Sequence, residues 1–291
     1  MLIRTAEKSE LPTLRTLLED SLEPKFDIRP VVEEKLFGSG YGGPARCRIA
    51  LEEGAIRGVS VSCGSAIRLL AVAPAFRHRG IGSELLADAV SEIRLVGQRV
   101  TVGAAPGNYL VPGVPEENAE SIEFLAKRGL VAKTSATDLT AELRDARRPT
   151  ERSHVKIERV RSSTEELERF LEEEFGPAIT WEIGHGLMTD RAVVRIARSE
   201  GAIIGFSACE INNAGLGTFG PQGVSESHRG RGIGAMLLHH SLADLREMGY
   251  EQARIPWVSS TKYYERACGA KVAGTYVVMR GDLRDPDNPA S

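Results

Sequence analysis

The stretch from His228 to His240 is HRGRGIGAMLLHH, and the stretch from Phe76 to Asp88 is FRHRGIGSELLAD. Each places two basic residues among glycines directly before an apolar, helix-forming pattern. Glycine permits positive φ angles and removes the Cβ atoms that would keep a ligand away from the backbone. The helix that follows adds unsatisfied N–H groups and the positive end of its dipole. Both stretches therefore predict an anion-binding turn, for which phosphate is the usual ligand.

These two stretches are the centre of an internal repeat, because Gly80 and Gly82 match Gly232 and Gly234. A β-prone segment precedes each glycine set, and a helix, a short strand, a second helix and a closing strand follow it. A repeat of this length indicates one duplicated domain rather than a solenoid. We predict two mixed α/β domains, each with about six or seven strands and four helices.

The domain boundaries follow from a charged, proline-containing stretch between the copies that has no apolar period. We predict an N-terminal domain at 1–143, a linker at 144–154 and a C-terminal domain at 155–291, each closed by its own last strand. The first copy is 12 residues longer after its glycine loop. The extra loop contains Asn108 and Tyr109 and could close over an acceptor, brace the domains or be a packing insertion.

The amino-acid composition limits the classes of protein to which the chain can belong. The 291 residues are 42% hydrophobic and 26% charged, with a formal net charge of −3, so neither half is predicted to bind nucleic acid. No stretch is long enough for a membrane span, and the start, MLIRTAEKSE, has no apolar signal region. The four cysteines form no CxxC pair, which predicts reduced, mostly buried thiols in a cytoplasmic protein without a metal site.

Three phosphate-binding motifs were compared with the glycine loops. A nucleoside triphosphate P-loop needs Gly-Lys-Ser/Thr, which neither copy has. A dinucleotide G-x-G-x-x-[GA] fingerprint is present at Gly230, Gly232 and Ala235 but not in the first copy, and its acidic partner would be misplaced at Glu251. The pattern [RQ]-x-x-G-x-[GA] fits both copies.

Both halves resemble the GNAT superfamily of acyl-CoA N-acyltransferases. AVAPAFRHRGIGSELL and GVSESHRGRGIGAMLL are similar to its pyrophosphate-binding signature, and YYERACGA is similar to its later aromatic-Tyr-Glu segment. The resemblance covers nearly the whole chain and implies two tandem GNAT-like domains that use acetyl-CoA (coenzyme A) and no metal. The residues implied to bind the co-substrate are Val224, Arg229, Gly230, Arg231, Gly232, Ile233, Gly234 and Ala235, and in the first copy Arg77, Arg79, Gly80, Gly82 and Ser83.

The resemblance also implies a mechanism. The pantetheine arm would run antiparallel to the splayed fourth strand, whose N–H polarises the thioester, and the primary amine of a small molecule would attack directly. Tyr264, five residues before the glycine that closes the last helix, would protonate the leaving thiolate. The first copy has Phe124 at that position, so the C-terminal domain is predicted to be catalytic. Tyr263 is the rival donor, since adjacent helix residues diverge by about 100°.

The base that accepts the amine proton is less sharply indicated. Glu210, at the end of a predicted strand, is the first candidate, and Glu182 and His185 are alternatives on the acceptor-side wall. Trp181 could form part of that wall or of the core. The pair His239 and His240 is interpreted as part of a helix face.

A second class of function stays open at this stage. Two intact loops are also compatible with a non-catalytic acyl-CoA sensor or scaffold, whereas Tyr264 favours an enzyme. Tandem GNAT proteins include mycothiol synthases, for which no specific motif is present. The acceptor class stays broad, covering polyamines, aminoglycosides, amino acids and amino sugars, and the sequence indicates no oligomeric state.

Overall fold

The computed structural model describes residues 1–22, 27–150 and 154–283. The chain divides into two compact units, Met1–Ala136 with Gly274–Ser291, and Thr137–Ala273. Residues 151–153 of the predicted linker and 284–291 of the predicted C-terminal domain lie outside the described residues.

The first half of the chain alternates strands and helices as the repeat predicts. Short 3₁₀ turns precede α1 and α3. The elements are β1 (Leu2–Thr5), α1 (Leu11–Ser21), α2 (Val32–Phe37), β2 (Arg46–Glu52), β3 (Ala55–Cys63), β4 (Ala66–Val72), α3 (Ile81–Arg94), β5 (Arg99–Val102), β6 (Val114–Pro115), α4 (Ala119–Ala126) and β7 (Val131–Glu142).

The second half repeats this order with a longer second helix after the first strand. A 3₁₀ turn at Glu226–His228 precedes α7. The elements are β8 (Lys156–Val160), α5 (Glu165–Phe175), α6 (Pro177–Leu187), β9 (Val193–Ser199), β10 (Ala202–Cys209), β11 (Phe219–Val224), α7 (Ile233–Glu247), β12 (Gln252–Val258), α8 (Thr261–Cys268) and β13 (Lys271–Asp282).

The first unit is a mixed sheet with helices packed on it. Strands β1 to β4 pair antiparallel in sequence order, and β4 then pairs parallel with β5 only near Ala66 and Ile67. Beyond those two pairs no ladder between β4 and β5 is found in the described residues. Helix α3 buries its apolar stripe against the sheet, in a cluster that includes Leu86, Ala89, Val90 and Ile93.

The second unit carries helices on both faces of its β8–β9–β10–β11 sheet. Helices α5 and α6 pack on one face through Leu167, Leu171 and Ile183, and α7 packs on the other. Strands β11 and β12 are joined by one parallel bridge, Thr218 to Arg254, and by no further ladder pairs in the described part of the chain. The mixed α/β fold is therefore confirmed in both units.

The last strand of each repeat does not stay with its own copy, contrary to our prediction. The part of β7 from Thr137 onward pairs with β12 in the second unit, and the end of β13 pairs with β5 in the first unit, Met279 lying opposite Val102. The division at 143 and 155 thus differs from the compact units. A repeat specifies the apolar alternation of a strand but not which sheet edge it joins, because strand pairing is non-local.

The predicted linker is also bound rather than free. Leu143 is buried, and Arg148 forms ion pairs with Asp244 and Glu247 of α7. A shallow hollow of about 320 Å³ lies beside these groups, and two of its arginines are bound, Arg148 to carboxylates of α7 and Arg246 to the carbonyl of Ala146. Residues up to 150 therefore belong to the second unit.

The four cysteines carry free thiols, three of them buried as predicted, whereas Cys268 is half-buried. Burial raises the pKa of Cys47 to about 12, so this thiol stays protonated. Among the helices of the described residues, none has the length and apolar character needed to cross a membrane.

Candidate active site

The glycine loop of the second unit forms an N–H-lined turn at the start of α7. Gly230 and Gly232 both have positive φ angles, +75° and +80°, and Gly232 is the residue before the first helical turn. A side chain at Gly230 would meet open space, so the turn faces outward. The first N–H groups of α7 have no intrahelical acceptor. The turn is therefore suited to an anion.

The two arginines of the loop are bound to nearby carbonyls. Arg229 Nε donates to the Val224 carbonyl at 3.1 Å, and Arg231 donates to the Ser227 carbonyl at 3.1 Å. Arg77 repeats the first bond, donating to the Val72 carbonyl at 3.4 Å. These bonds hold each loop against the end of the preceding strand and keep a cationic group beside the turn.

A cleft of about 490 Å³ opens in front of this loop. It brings together seven of the predicted co-substrate residues and both candidate tyrosines. Four of its lining residues were missed in the sequence. The lining is Phe175, Gln222, Gly223, Val224, His228, Arg229, Gly230, Gly232, Ile233, Gly234, Ala235, Tyr263 and Tyr264.

The residues missed in the sequence have structural reasons to reach the cleft. Phe175 approaches because Gly223 has no Cβ; a Cβ there would lie 2.3 Å from the ring. Gln222 Nε2 donates to the Gly234 carbonyl at 2.8 Å, and His228 Nδ1 lies 2.9 Å from the hydroxyls of Ser225 and Ser227. The alternation of β11, which puts Gln222 and Val224 on one side, was the available signal.

Strand β11 turns part of its backbone toward the cleft. Ser225 N donates to the Ile204 carbonyl at 3.0 Å, so the odd-numbered residues bond to β10. The N–H groups of Val224 and Gln222 therefore point away from β10, toward the side where β12 diverges. This free strand edge can receive an extended ligand.

The two tyrosines both line the cleft with their ring centroids 4.8 Å apart, but they have different neighbours. The Tyr263 hydroxyl is 3.2 Å from where a Cβ on Gly234 would be, next to the glycine loop. The Tyr264 ring meets Phe219, the first residue of β11, edge-on at 6.2 Å. Burial raises the pKa of both phenols. Lining the cleft thus does not separate them, whereas their neighbours do, Gly234 for Tyr263 and Phe219 for Tyr264.

Glu210, the predicted base, is bound in a turn and is not among the residues that line the cleft. Its carboxylate accepts from the backbone N–H of Gly215 and from that of Thr218 at 2.7 Å, and from the Tyr250 hydroxyl at 2.7 Å. Burial, followed by the bond to Glu210, raises the pKa of Tyr250 to about 12. Glu210 has a φ of +57° and is buried, so its carboxylate closes the turn between β10 and β11 instead of lining the cleft.

The other predicted candidates lie on helices away from the cleft lining. Trp181 and His185 stack on each other at 4.7 Å on α6, and Glu182 is buried beside them in sequence. His239 and His240 lie on α7, His240 being buried, in agreement with the predicted helix face.

The extra loop of the first unit is a packing element. Asn108 is buried, accepts from Lys35 Nζ at 2.6 Å and donates to the Ser39 carbonyl at 2.8 Å. Tyr109 is buried beside Ala66 and Ala105. Within this unit the loop therefore braces the segment after α2.

The glycine loop of the first unit is surrounded by different side chains. His78 takes the place of Gly230 and has a φ of +59°. The Phe124 ring lies 3.5 Å from where a Cβ on Gly82 would be. Arg128 stacks over that ring at 3.8 Å and donates to Ser83 Oγ at 2.5 Å. Arg79, in turn, pairs with Glu52 at 3.3 Å.

Residues 155–270 match the model of the acetyltransferase (GNAT) family. This half is a GNAT domain. The GNAT family consists of acyltransferases that use acyl-CoA co-substrates, and the cleft fits such a group because it combines the N–H-lined turn with a free strand edge. No curated protein matches the sequence.

Solved structures extend the GNAT fold over the whole chain. A GCN5-related glucosamine N-acetyltransferase region of a fungal multi-domain β-N-acetylglucosaminidase is 18% identical with a TM-score of 0.78, covering 96% of this chain and 38% of that one. A tandem GNAT protein from the clavulanic acid biosynthesis pathway is 16% identical with a TM-score of 0.73, covering 98% and 99%.

A GCN5-related N-acetyltransferase from Sphaerobacter thermophilus is 15% identical with a TM-score of 0.70, covering 100% and 98%. The chain thus spans 38% of the fungal protein and nearly the full length of the other two. The likeness at these identities is one of fold, and the chain has the tandem GNAT fold.

Proposed function

We propose that the protein transfers an acetyl group from acetyl-CoA to the primary amine of a small molecule, and that the second unit is catalytic. The observation that carries the proposal is the cleft of the second unit, which joins an open glycine loop to two tyrosines. The corresponding loop of the first unit is packed by Phe124 and Arg128.

The direction of β11 supports an assignment of which part of acetyl-CoA would lie at each end of the cleft. The pyrophosphate would bind the turn at Gly230 to Ala235, and the pantetheine arm would extend from Val224 back toward Phe219. The thioester would then lie near the start of β11, where Tyr264 meets Phe219. Tyr263 would lie at the phosphate end, beside Gly234. This order supports Tyr264 as the thioester-side group.

The chemistry asks for a proton donor and a polarised carbonyl. An outward-facing N–H of β11 would stabilise the developing oxyanion, and the Tyr264 hydroxyl would donate its proton to the leaving thiolate. The amine attacks directly, so no side chain forms an acyl intermediate. Glu210 is bound in its turn, and the amine proton would leave through water.

Thiol release from acetyl-CoA, measured over a panel of primary amines with the full chain, tests the proposal. We expect turnover with at least one amine and loss of turnover when the second loop is blocked. Tight CoA binding without turnover on any amine would overturn the enzyme and favour the acyl-CoA sensor.

A further inference from the structure

Trp257 combines three features within β12. It is 40% exposed, has a φ of +53° and lies in a β-bulge. The bulge arises because Ile255 pairs with Leu139 and Val258 with Thr137, so that β12 has one residue more than β7 in this interval. Positive φ is an outlier for a bulky side chain and strains the backbone.

The strained conformation is held by a buried carboxylate. The backbone N–H of Trp257 donates to Asp138 Oδ1 at 2.9 Å, and Asp138 is only 3% exposed. Arg254 lies 3.9 Å from the other oxygen of Asp138. Because Ile255 and Val258 both contact the core under α7, the extra residue turns the indole out of that core.

The position of the bulge relates Trp257 to the cleft. The parallel bridge joins Thr218 to Arg254, and Trp257 lies three residues beyond it, as Pro221 does on β11. This is the interval in which the two strands diverge, immediately before α8 and its tyrosines. A side chain here would flank the approach of an acceptor to a thioester held along β11, outside the lining of the cleft itself.

We propose that Trp257 is a specificity-determining residue that stacks on the ring of the acceptor, so that preferred acceptors are amines bearing an aromatic or sugar ring. This inference rests on the proposed function. An indole face binds planar and sugar rings through its apolar surface. A ring-bearing amine offers such a surface, whereas an open-chain amine does not.

The test compares phenethylamine and glucosamine with n-butylamine and putrescine, using the full chain and saturating acetyl-CoA. W257G removes the indole yet keeps the bulge, because glycine adopts positive φ without strain. We expect the KM for the ring amines to rise about tenfold, the scale of one aromatic contact. The KM values for the open-chain amines and for acetyl-CoA should stay unchanged, and W257F should recover part of the loss.

An equal change in KM for ring and open-chain amines, or no change in either, would overturn the assignment. A separate readout covers an inactive protein, because Trp181 and Trp257 are the two tryptophans of the chain. In W181F loaded with CoA, phenethylamine should alter the Trp257 fluorescence and n-butylamine should not. If no amine is acetylated, the proposed function fails; an unchanged fluorescence in that experiment would overturn the role of Trp257.

Discussion

The two glycine loops show that the same sequence motif can lie in two different structural surroundings. Both keep an arginine bound to the preceding strand and a left-handed glycine before the helix, Arg77 and Gly80 in one, Arg229 and Gly232 in the other. In the first loop Ser83 N–H donates to the Gly80 carbonyl at 3.0 Å, and Arg128 covers the Ser83 side chain. The second loop has Ala235 at that position and opens into the cleft.

The difference teaches that the motif specifies a backbone turn, whereas the residues around it decide whether the turn accepts a ligand. Phe124 contacts the first loop as Tyr263 contacts the second, each next to the second glycine of its motif. By contact, Phe124 is thus the counterpart of Tyr263, and not of Tyr264 as its distance from the closing glycine predicted. Leu125 takes the corresponding place of Tyr264, buried in the core of the first unit.

Blocking each loop in turn gives the largest expected contrast. Gly232→Trp should lower kcat/KM for thiol release by about 10³-fold, since it fills the anion site with an indole. Gly80→Trp has the same positive-φ strain and should leave turnover near wild type. Equal losses from both variants would mean that the two loops contribute alike.

The strand-to-helix ion pairs provide a matched comparison of stability. Asp244 is buried between Arg195 and Arg148. Asp244→Ala leaves both guanidinium groups without their carboxylate and should lower the free energy of unfolding by about 3–5 kcal/mol. Asp88→Ala breaks the more exposed pair with Arg48 and should cost about 1 kcal/mol. Urea unfolding followed by circular dichroism measures both, and a larger loss from Asp88→Ala would contradict this ranking.

Substitution of the two neighbouring tyrosines should change kcat by different amounts. Tyr264→Phe is expected to lower kcat by roughly 10²-fold with little change in CoA affinity, as for loss of a general acid. Tyr263→Phe, the matched control at the loop end, should lower kcat only a few-fold. A larger effect from Tyr263 would exchange the two assignments.

Gly230 of the second loop corresponds to His78 of the first, and exchanging these residues should have a moderate effect on the affinity for CoA. Gly230→His gives the second loop the residue of the first, in a conformation with positive φ. We expect the Kd for CoA to rise about tenfold through strain of about 1–2 kcal/mol and obstruction of the turn. Calorimetric titration of this variant and of His78→Gly checks both directions; an unchanged Kd in Gly230→His would show that the turn tolerates a side chain.

The smallest expected effect concerns alkaline pH, where we expect kcat to stay nearly constant. Burial raises the pKa of Tyr264 above its ordinary value of about 10, so the phenol keeps its proton at least to that pH. The donor form is lost only above the raised pKa. A fall in kcat between about pH 8 and 10 that disappears in Tyr264→Phe would contradict this sign.

Much of the fold followed from the sequence because glycine positions and apolar periods are local signals. The loop, its helix and the order of elements are of this kind. The partners of β7 and β13, by contrast, depend on which sheet edges are free, and the burial of Glu210 depends on a turn that brings Gly215 and Thr218 to its carboxylate. Phe175 reaches the cleft through a packing gap at Gly223, which no linear pattern reveals.

The division of β7 and β13 has a consequence for synthesis on the ribosome. The first unit includes the part of β13 from Gly274 onward, so its sheet lacks a strand until that segment has been translated. Cutting the gene at the repeat boundary would leave each product without a strand segment that its sheet pairs with.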